Sequence, residues 1–102
     1  MTHHPPVVLC NYNGMFNIYC NPEETDIAPI FIGKSPYEPH VVKYFAPMVK
    51  RKRVLDIGSN IGFYTLLALH SGATEAFAVD PNPHNHHLLS LSLASGPFVG
   101  IS

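Results

Sequence analysis

The stretch VLDIGSNIGFYTLLAL, residues 54–69, constrains the fold more than any other part of the 102-residue chain. An apolar run contains Asp56, a loop of small residues follows, and an apolar pattern with helical spacing begins around Gly62. Short apolar runs are typical of strands in a parallel sheet, where both faces are covered. A strand, a glycine loop and a helix in this order predict the first unit of an open α/β sheet that binds a ligand beyond the carboxyl end of its strands.

The same unit continues through a second strand. We predict a buried strand at residues 54–57 and a helix at residues 61–71, capped by Ser59 or Asn60 and stopped by Gly72. Residues 76–79 form the next buried strand in this interpretation.

The last helix is signalled by Asn82-Pro83, an N-cap residue followed by a first-turn proline. The segment LLSLSLAS alternates Leu and Ser, which is typical of a strand. The cap and the length favour a helix over residues 83–95. The order strand, helix, strand, helix predicts parallel strands joined by a crossover.

The N-terminal half carries a strong hairpin signal. Asn13-Gly14 separates two apolar stretches within residues 7–20, as in a two-residue hairpin turn. That turn sets Tyr12 opposite Met15 and fixes the predicted register.

The register decides how the two cysteines relate. Cys10 and Cys20 are predicted on opposite faces of the hairpin, which disfavours a disulfide between them. We therefore expect free thiols and a reducing compartment.

A loop with a short strand near residues 30–32 is expected within residues 21–39, which are rich in Pro, Gly, Asp and Glu. Pro39 then fits the first position of a helix. The apolar stripe of this helix consists of Val41, Val42, Phe45 and Met48. We divide the chain into residues 1–50, the hairpin, loop and lead-in helix, and residues 51–102, the first half of the ligand-binding sheet domain.

Composition excludes several classes of function. A formal net charge of −1 is unlike that of a nucleic-acid binder. The basic run at residues 50–53 is interpreted as a solvated approach to the first parallel strand. The chain shows no signal peptide and no membrane-spanning segment, so we expect a cytoplasmic protein with no membrane partner.

The loop itself selects the class of ligand. Its pattern is D-x-G-x-N-x-G, whereas the dinucleotide fingerprint is G-x-G-x-x-G. The Asp56 carboxylate would repel a pyrophosphate and attract a ligand with ammonium and sulfonium groups, such as S-adenosylmethionine. Asp80, at the end of the second parallel strand, is placed to accept the hydroxyl groups of a ribose.

These stretches resemble the FkbM family of S-adenosylmethionine-dependent methyltransferases. The resemblance runs over residues 13–94 and rests on VLDIGSNIGFYTLLAL, AFAVDPNP and GKSPYEPHVVKYF. It implies an α/β, Rossmann-like class I methyltransferase fold, here truncated to an N-terminal β-hairpin and the first β-α-β-α of the parallel sheet.

The resemblance also implies a set of cofactor-binding residues. The methionine end of the cofactor would be lined by Asp56, Gly58, Ser59, Asn60 and Gly62, with Ser59 in the place of the family's usual alanine. Asp80 would hold the ribose, Asn82 would border the pocket and Glu38 would help to close it. Three simpler interpretations stay open: Asp56 as a loop-fixing acid, Asp80 as a turn residue and Glu38 as a surface acid.

The activity implied is O-methylation of a sugar or another small metabolite, by a truncated domain that is weak or inactive alone. No catalytic base is assigned. Among the seven histidines, His84, His86 and His87 supply too few ligands at a recognisable spacing for zinc, so no metal is expected. The alternatives are a non-catalytic interaction module, with self-association through exposed sheet edges, and an NAD(P)-binding fragment.

Overall fold

The computed structural model describes residues 5–96 as an α/β structure with two sheets of two strands each. The elements are, in chain order, β1 (Val8–Tyr12), β2 (Phe16–Cys20), α1 (Ala28–Ile32), α2 (Pro39–Met48), β3 (Arg53–Ile57), α3 (Phe63–His70), β4 (Glu75–Val79) and α4 (Pro83–Ala94). β1 and β2 are antiparallel, and β3 and β4 are parallel. The strand, helix, strand, helix order after residue 52 confirms the prediction for this part.

The hairpin differs from its predicted register by one residue. Tyr12 pairs with Phe16 and not with Met15, because the loop has three residues, with positive φ at Asn13 and Gly14. A one-residue shift changes which side chains face the core. The observed register buries Phe16 on the same face as Tyr12, and their rings stack at 5.5 Å.

The same shift corrects the placement of the cysteines. Cys10 pairs with Ile18 and Cys20 with Val8, so both thiols lie on the buried face as diagonal neighbours. The prediction of opposite faces was therefore wrong, while the prediction of free thiols is confirmed. Burial, reinforced by Cys10, raises the pKa of the Cys20 thiol to about 12, which keeps it protonated at neutral pH.

Residues 30–32 are helical rather than extended. The short helix α1 begins after a turn in which the Glu24 carboxylate accepts the backbone N–H groups of Ile27 and Ala28, both at 2.8 Å. Pro29 occupies its first turn, where the missing N–H costs nothing. These two features favour a helical turn where the sequence analysis expected a short strand.

The hydrophobic core joins the hairpin to α3 and α4. One cluster of buried side chains runs from Cys10 to Leu93 and includes aromatic rings from several elements. Phe63, at the start of α3, lies at its centre, with ring centroids 4.9 Å from Tyr12 and 4.7 Å from Tyr37. α4 packs against β2, where the Tyr19 N–H donates to Ser92 Oγ at 2.9 Å.

The parallel sheet is covered on one face only. α3 packs on the face that carries Ala76, but Leu55 and Ile57 on the other face are 61% and 75% exposed. The prediction of strands buried on both faces is therefore wrong for the described residues, because α4 packs against the hairpin and leaves the second face of the parallel sheet uncovered. α2 follows the predicted start at Pro39, and α4 follows its predicted bounds to within one residue.

Candidate functional site

The loop after β3 crosses the carboxyl end of β4. The N–H groups of Gly58 and Ser59 both donate to the Val79 carbonyl, at 2.7 and 3.1 Å. Gly58 and Asn60 have φ values of +71° and +55°, a region that glycine and asparagine adopt most readily. Among the described residues other than its chain neighbours, none has an atom within 4 Å of the position that a Cβ on Gly58 would occupy, so a ligand has room to approach the main chain there.

Asp80 joins this loop to the start of α4. One carboxylate oxygen accepts the N–H of Asn60 at 2.9 Å, and the other accepts the N–H of Asn82 at 2.9 Å. The Asn85 amide donates to the second oxygen at 3.2 Å. The Asn82 N–H, followed by those of Asn60 and Asn85, lowers the pKa of Asp80, so the group is a carboxylate at neutral pH.

Two of the predicted cofactor residues, Asn82 and Gly62, have roles in the fold itself. The Asn82 side chain accepts the N–H of His84 at 2.9 Å and caps α4, as the sequence predicted for the helix. Gly62 is the N-cap of α3, where Ser59 or Asn60 was predicted, and a Cβ on it would lie 2.4 Å from Leu89. The absence of a side chain at Gly62 therefore lets α3 pack closely against α4. Ser59 is buried, and its hydroxyl has no hydrogen-bond partner among the described residues.

Two further acids, Glu38 and Asp56, line a cleft between α2 and β3. Tyr64 donates its hydroxyl to the Glu38 carboxylate, and Thr65 donates to Asp56 at 2.8 Å. The cleft has a volume of about 300 Å³. It is lined by Glu38, Val41, Phe45, Val54, Leu55, Asp56 and Tyr64.

The charge of this cleft is negative. Burial, followed by the carboxylates of Glu38 and Asp56, raises the pKa of Tyr37 above its usual value. Burial and the hydrogen bond to Glu38 raise the pKa of Tyr64. No Lys or Arg lines the cleft in the described part of the chain, so it favours a cationic group with apolar flanks.

The structure therefore divides the predicted site residues between two clusters. The loop cluster consists of Gly58, Ser59, Asn60, Gly62, Asp80 and Asn82. The acidic cleft brings Glu38 and Asp56 together. Asp56 belongs to β3 and directly precedes Ile57, the residue before Gly58, so the two clusters adjoin along the chain.

Sequence reasoning missed four residues that complete these clusters. Tyr64 and Thr65 supply the hydroxyl partners of the two acids, Tyr37 lies beside them, and Asn85 supports Asp80. The spacing of Asp56 and Thr65, nine positions apart across one strand and helix, is a signal for their pairing. No local pattern marks the pairing of Glu38 with Tyr64, which are 26 positions apart.

The histidines form no metal centre within residues 5–96. His86 contacts the Asp80 carbonyl at 2.7 Å through Nε2, which fixes its ring at the start of α4. The rings of His84 and His87 lie 6.3 Å apart.

Comparisons of the chain with protein-family models, with curated proteins and with solved structures gave no match. In the described part of the chain, every helix is too short or too polar to cross a bilayer.

Proposed function

We propose that this chain is the cofactor-binding part of an S-adenosylmethionine-dependent methyltransferase of the FkbM type. Its acceptor would be the hydroxyl of a sugar or another small metabolite, and its location cytoplasmic. The observation that carries the proposal is the Asp80 carboxylate, held by backbone N–H groups beside the open main chain of Gly58.

Asp80 retains the capacity to bind a ribose. A carboxylate has about four acceptor positions, and the protein fills three of them. The contact from the Asn85 amide, at 3.2 Å, is the longest of the three. One hydroxyl of a ribose diol would therefore donate to the free acceptor position, and the other would replace the Asn85 amide as a donor to Asp80.

The acidic cleft fits the other end of the same cofactor. Glu38 and Asp56 lie with Tyr64 and Phe45 around it, so carboxylates and aromatic faces are both presented to a ligand. Carboxylates pair with an ammonium group, and aromatic faces attract cations. A dinucleotide would bring a pyrophosphate toward these two negative charges, which disfavours the NAD(P) alternative.

The cofactor would supply an electrophilic methyl group on its sulfonium. The chain's own contribution is to hold the ribose at Asp80, to orient the cationic end in the acidic cleft and to leave the main chain of Gly58 accessible. Positioning of this kind lowers the barrier to transfer. We assign no base for the acceptor's proton among the described residues.

The test is calorimetric titration of the full chain with S-adenosylhomocysteine, which retains the ribose and the ammonium group. We expect binding by the parent chain and a loss of affinity of about 10- to 100-fold in Asp80→Asn, since hydrogen bonds to charged groups contribute about 1.5–3 kcal/mol. Asp26→Asn, which removes the same charge from an exposed turn, is the matched control and should bind like the parent.

Two further results separate the alternatives. NADH should fail to displace S-adenosylhomocysteine, and displacement would favour the NAD(P)-binding fragment. A folded parent chain that binds neither compound would contradict the proposal and favour a non-catalytic interaction module.

A further inference from the structure

The two acids of the acidic cleft are held by consecutive residues of α3. Tyr64 donates its hydroxyl to the Glu38 carboxylate, and Thr65 donates its hydroxyl to Asp56 at 2.8 Å. Glu38 directly precedes α2, and Asp56 lies in β3, so one turn of α3 contacts carboxylates from two different elements. The positions of both acids therefore depend on a single helix.

The backbone of Glu38 adopts a conformation that most residues avoid. Its φ and ψ are +43° and +55°, in the left-handed region that is unfavourable for a residue with a Cβ. Within residues 5–96, its side chain makes no capping hydrogen bond to α2, so capping does not account for this conformation. Strained backbone of this kind is concentrated at ligand sites, where the surrounding structure holds it in place. Here the Tyr64 hydroxyl holds the carboxylate at the cleft.

Packing fixes the Tyr64 ring independently of its hydroxyl. The ring lies edge-on to those of Phe45 and Phe63, with centroids 5.0 Å away in each case. Burial and the hydrogen bond to Glu38 raise the pKa of Tyr64, so the hydroxyl keeps its proton at neutral pH and remains a donor. A carboxylate has about four acceptor positions, and the Tyr64 hydroxyl takes one of those on Glu38. Acceptor positions on Glu38 therefore remain for a ligand.

We propose that Tyr64 and Thr65 are positioning residues that orient the two acids of the cleft for the ammonium group of the cofactor. This inference rests on the proposed function and adds the residues that make the cleft selective for the amino-acid end. An ammonium group has three donors and no acceptor. Two carboxylates that are fixed in advance offer it acceptors and opposite charge, and less order is then lost on binding.

The first test compares two ligands by calorimetric titration of the full chain. S-adenosylhomocysteine carries the amino-acid end, whereas methylthioadenosine lacks it and keeps the ribose and the base. Tyr64→Phe retains the ring and removes only the hydroxyl, so it should weaken S-adenosylhomocysteine about tenfold and leave methylthioadenosine unchanged. Tyr44→Phe makes the same change at a residue of α2 that is 67% exposed, and it should bind both ligands like the parent.

A double-mutant cycle shows whether Tyr64 acts through Glu38. Glu38→Gln should weaken S-adenosylhomocysteine, and Tyr64→Phe should have little further effect in that background, because the charge that it orients is gone. An equal effect of Tyr64→Phe in the two backgrounds would overturn the proposal. So would an equal weakening of both ligands by Tyr64→Phe, which would indicate a structural role alone.

Thr65 is tested with a conservative variant as its control. Thr65→Val removes the hydroxyl that Asp56 accepts and should weaken S-adenosylhomocysteine about tenfold, with methylthioadenosine unchanged. Thr65→Ser keeps a hydroxyl at this buried site and should bind like the parent. Circular dichroism before each titration checks that the variants are folded. Equal affinities of the two variants for S-adenosylhomocysteine would contradict the role of Thr65.

This inference and the proposed function fail in different ways. Binding of S-adenosylhomocysteine that is lost in Asp80→Asn but unaltered in Tyr64→Phe and Thr65→Val would support the proposed function and overturn the positioning role. A folded parent chain that binds neither ligand would overturn both. A parent that prefers S-adenosylhomocysteine, with a preference that Tyr64→Phe reduces, is the result that we expect.

Discussion

The two sheets of this protein have the same number of strands and opposite surroundings. On the inner face of the hairpin, Ile18 and Cys20 are fully buried. On the outer face of the parallel sheet, Leu55 and Ile57 are 61% and 75% exposed. The first sheet is therefore part of the core, while the second lies at its margin and presents the loop cluster and the acidic cleft.

The difference lies in where the helices pack. α3 covers one face of the parallel sheet, and α4 contributes its apolar side chains to the hairpin. α3, α4 and the hairpin thus form one core, and only one face of the parallel sheet packs against it. Stability should depend on the hairpin side, and ligand or partner binding on the sheet side.

The largest contrast should come from two phenylalanines. Phe63→Ala removes the ring at the centre of the aromatic cluster and should lower the free energy of unfolding by about 3–5 kcal/mol. Phe77→Ala, on the open face of β4, should cost about 1 kcal/mol or less. Urea unfolding followed by circular dichroism measures both. Equal losses would show that the two sheets share the core evenly.

A smaller contrast is expected from two glycines with positive φ. Gly62→Ala combines backbone strain with a Cβ 2.4 Å from Leu89 and should cost about 3 kcal/mol. Gly58→Ala has the strain without the contact and should cost about 1 kcal/mol. Thermal unfolding of the two variants gives the comparison. Gly62→Ala should cost less in a Leu89→Ala background than in the parent, because the contact with Leu89 is then absent, and an equal cost in the two backgrounds would mean that φ alone is responsible.

The smallest contrast lies within the LLSLSLAS segment of α4. Ser92→Ala leaves the Tyr19 N–H of the hairpin without its acceptor and should cost about 1–3 kcal/mol. Ser90 is exposed and donates to the His86 carbonyl of its own helix at 2.9 Å, so Ser90→Ala should change stability by about 0.5 kcal/mol or less. Urea unfolding separates the two, and hydrogen exchange at Tyr19 should accelerate in Ser92→Ala alone. Equal behaviour would mean that α4 is attached to the hairpin by apolar contacts only.

Much of the chain's local structure follows from short signals. Asn82-Pro83 predicts the start of α4, and the glycine loop predicts the change from β3 to α3. The alternation of Leu and Ser, which suggested a strand, arises because Ser92 bonds to the hairpin while Ser90 faces solvent. The hairpin register was missed because Asn13-Gly14 occurs here in a loop of three residues, and the burial of Phe16 beside Tyr12 decides between the two pairings.

The candidate site was predictable where it is local. Gly58 and Asp80 follow strands that run in parallel, so their proximity follows from the topology. The hydroxyl partner of Glu38 was not predictable, because Tyr64 reaches Glu38 only when α3 packs against α2. The role of Gly62 also depends on packing, since Leu89 comes from a different helix.

The sequence by itself determined the order of β3, α3, β4 and α4 and the N-cap of α4, because turn residues, caps and apolar runs act over a few positions. Only the tertiary structure decided which face of the hairpin is buried, where α4 packs and which acids meet in the cleft. These features depend on contacts between distant segments, where small differences in buried apolar area and in satisfied polar groups select one arrangement among several that the local pattern allows.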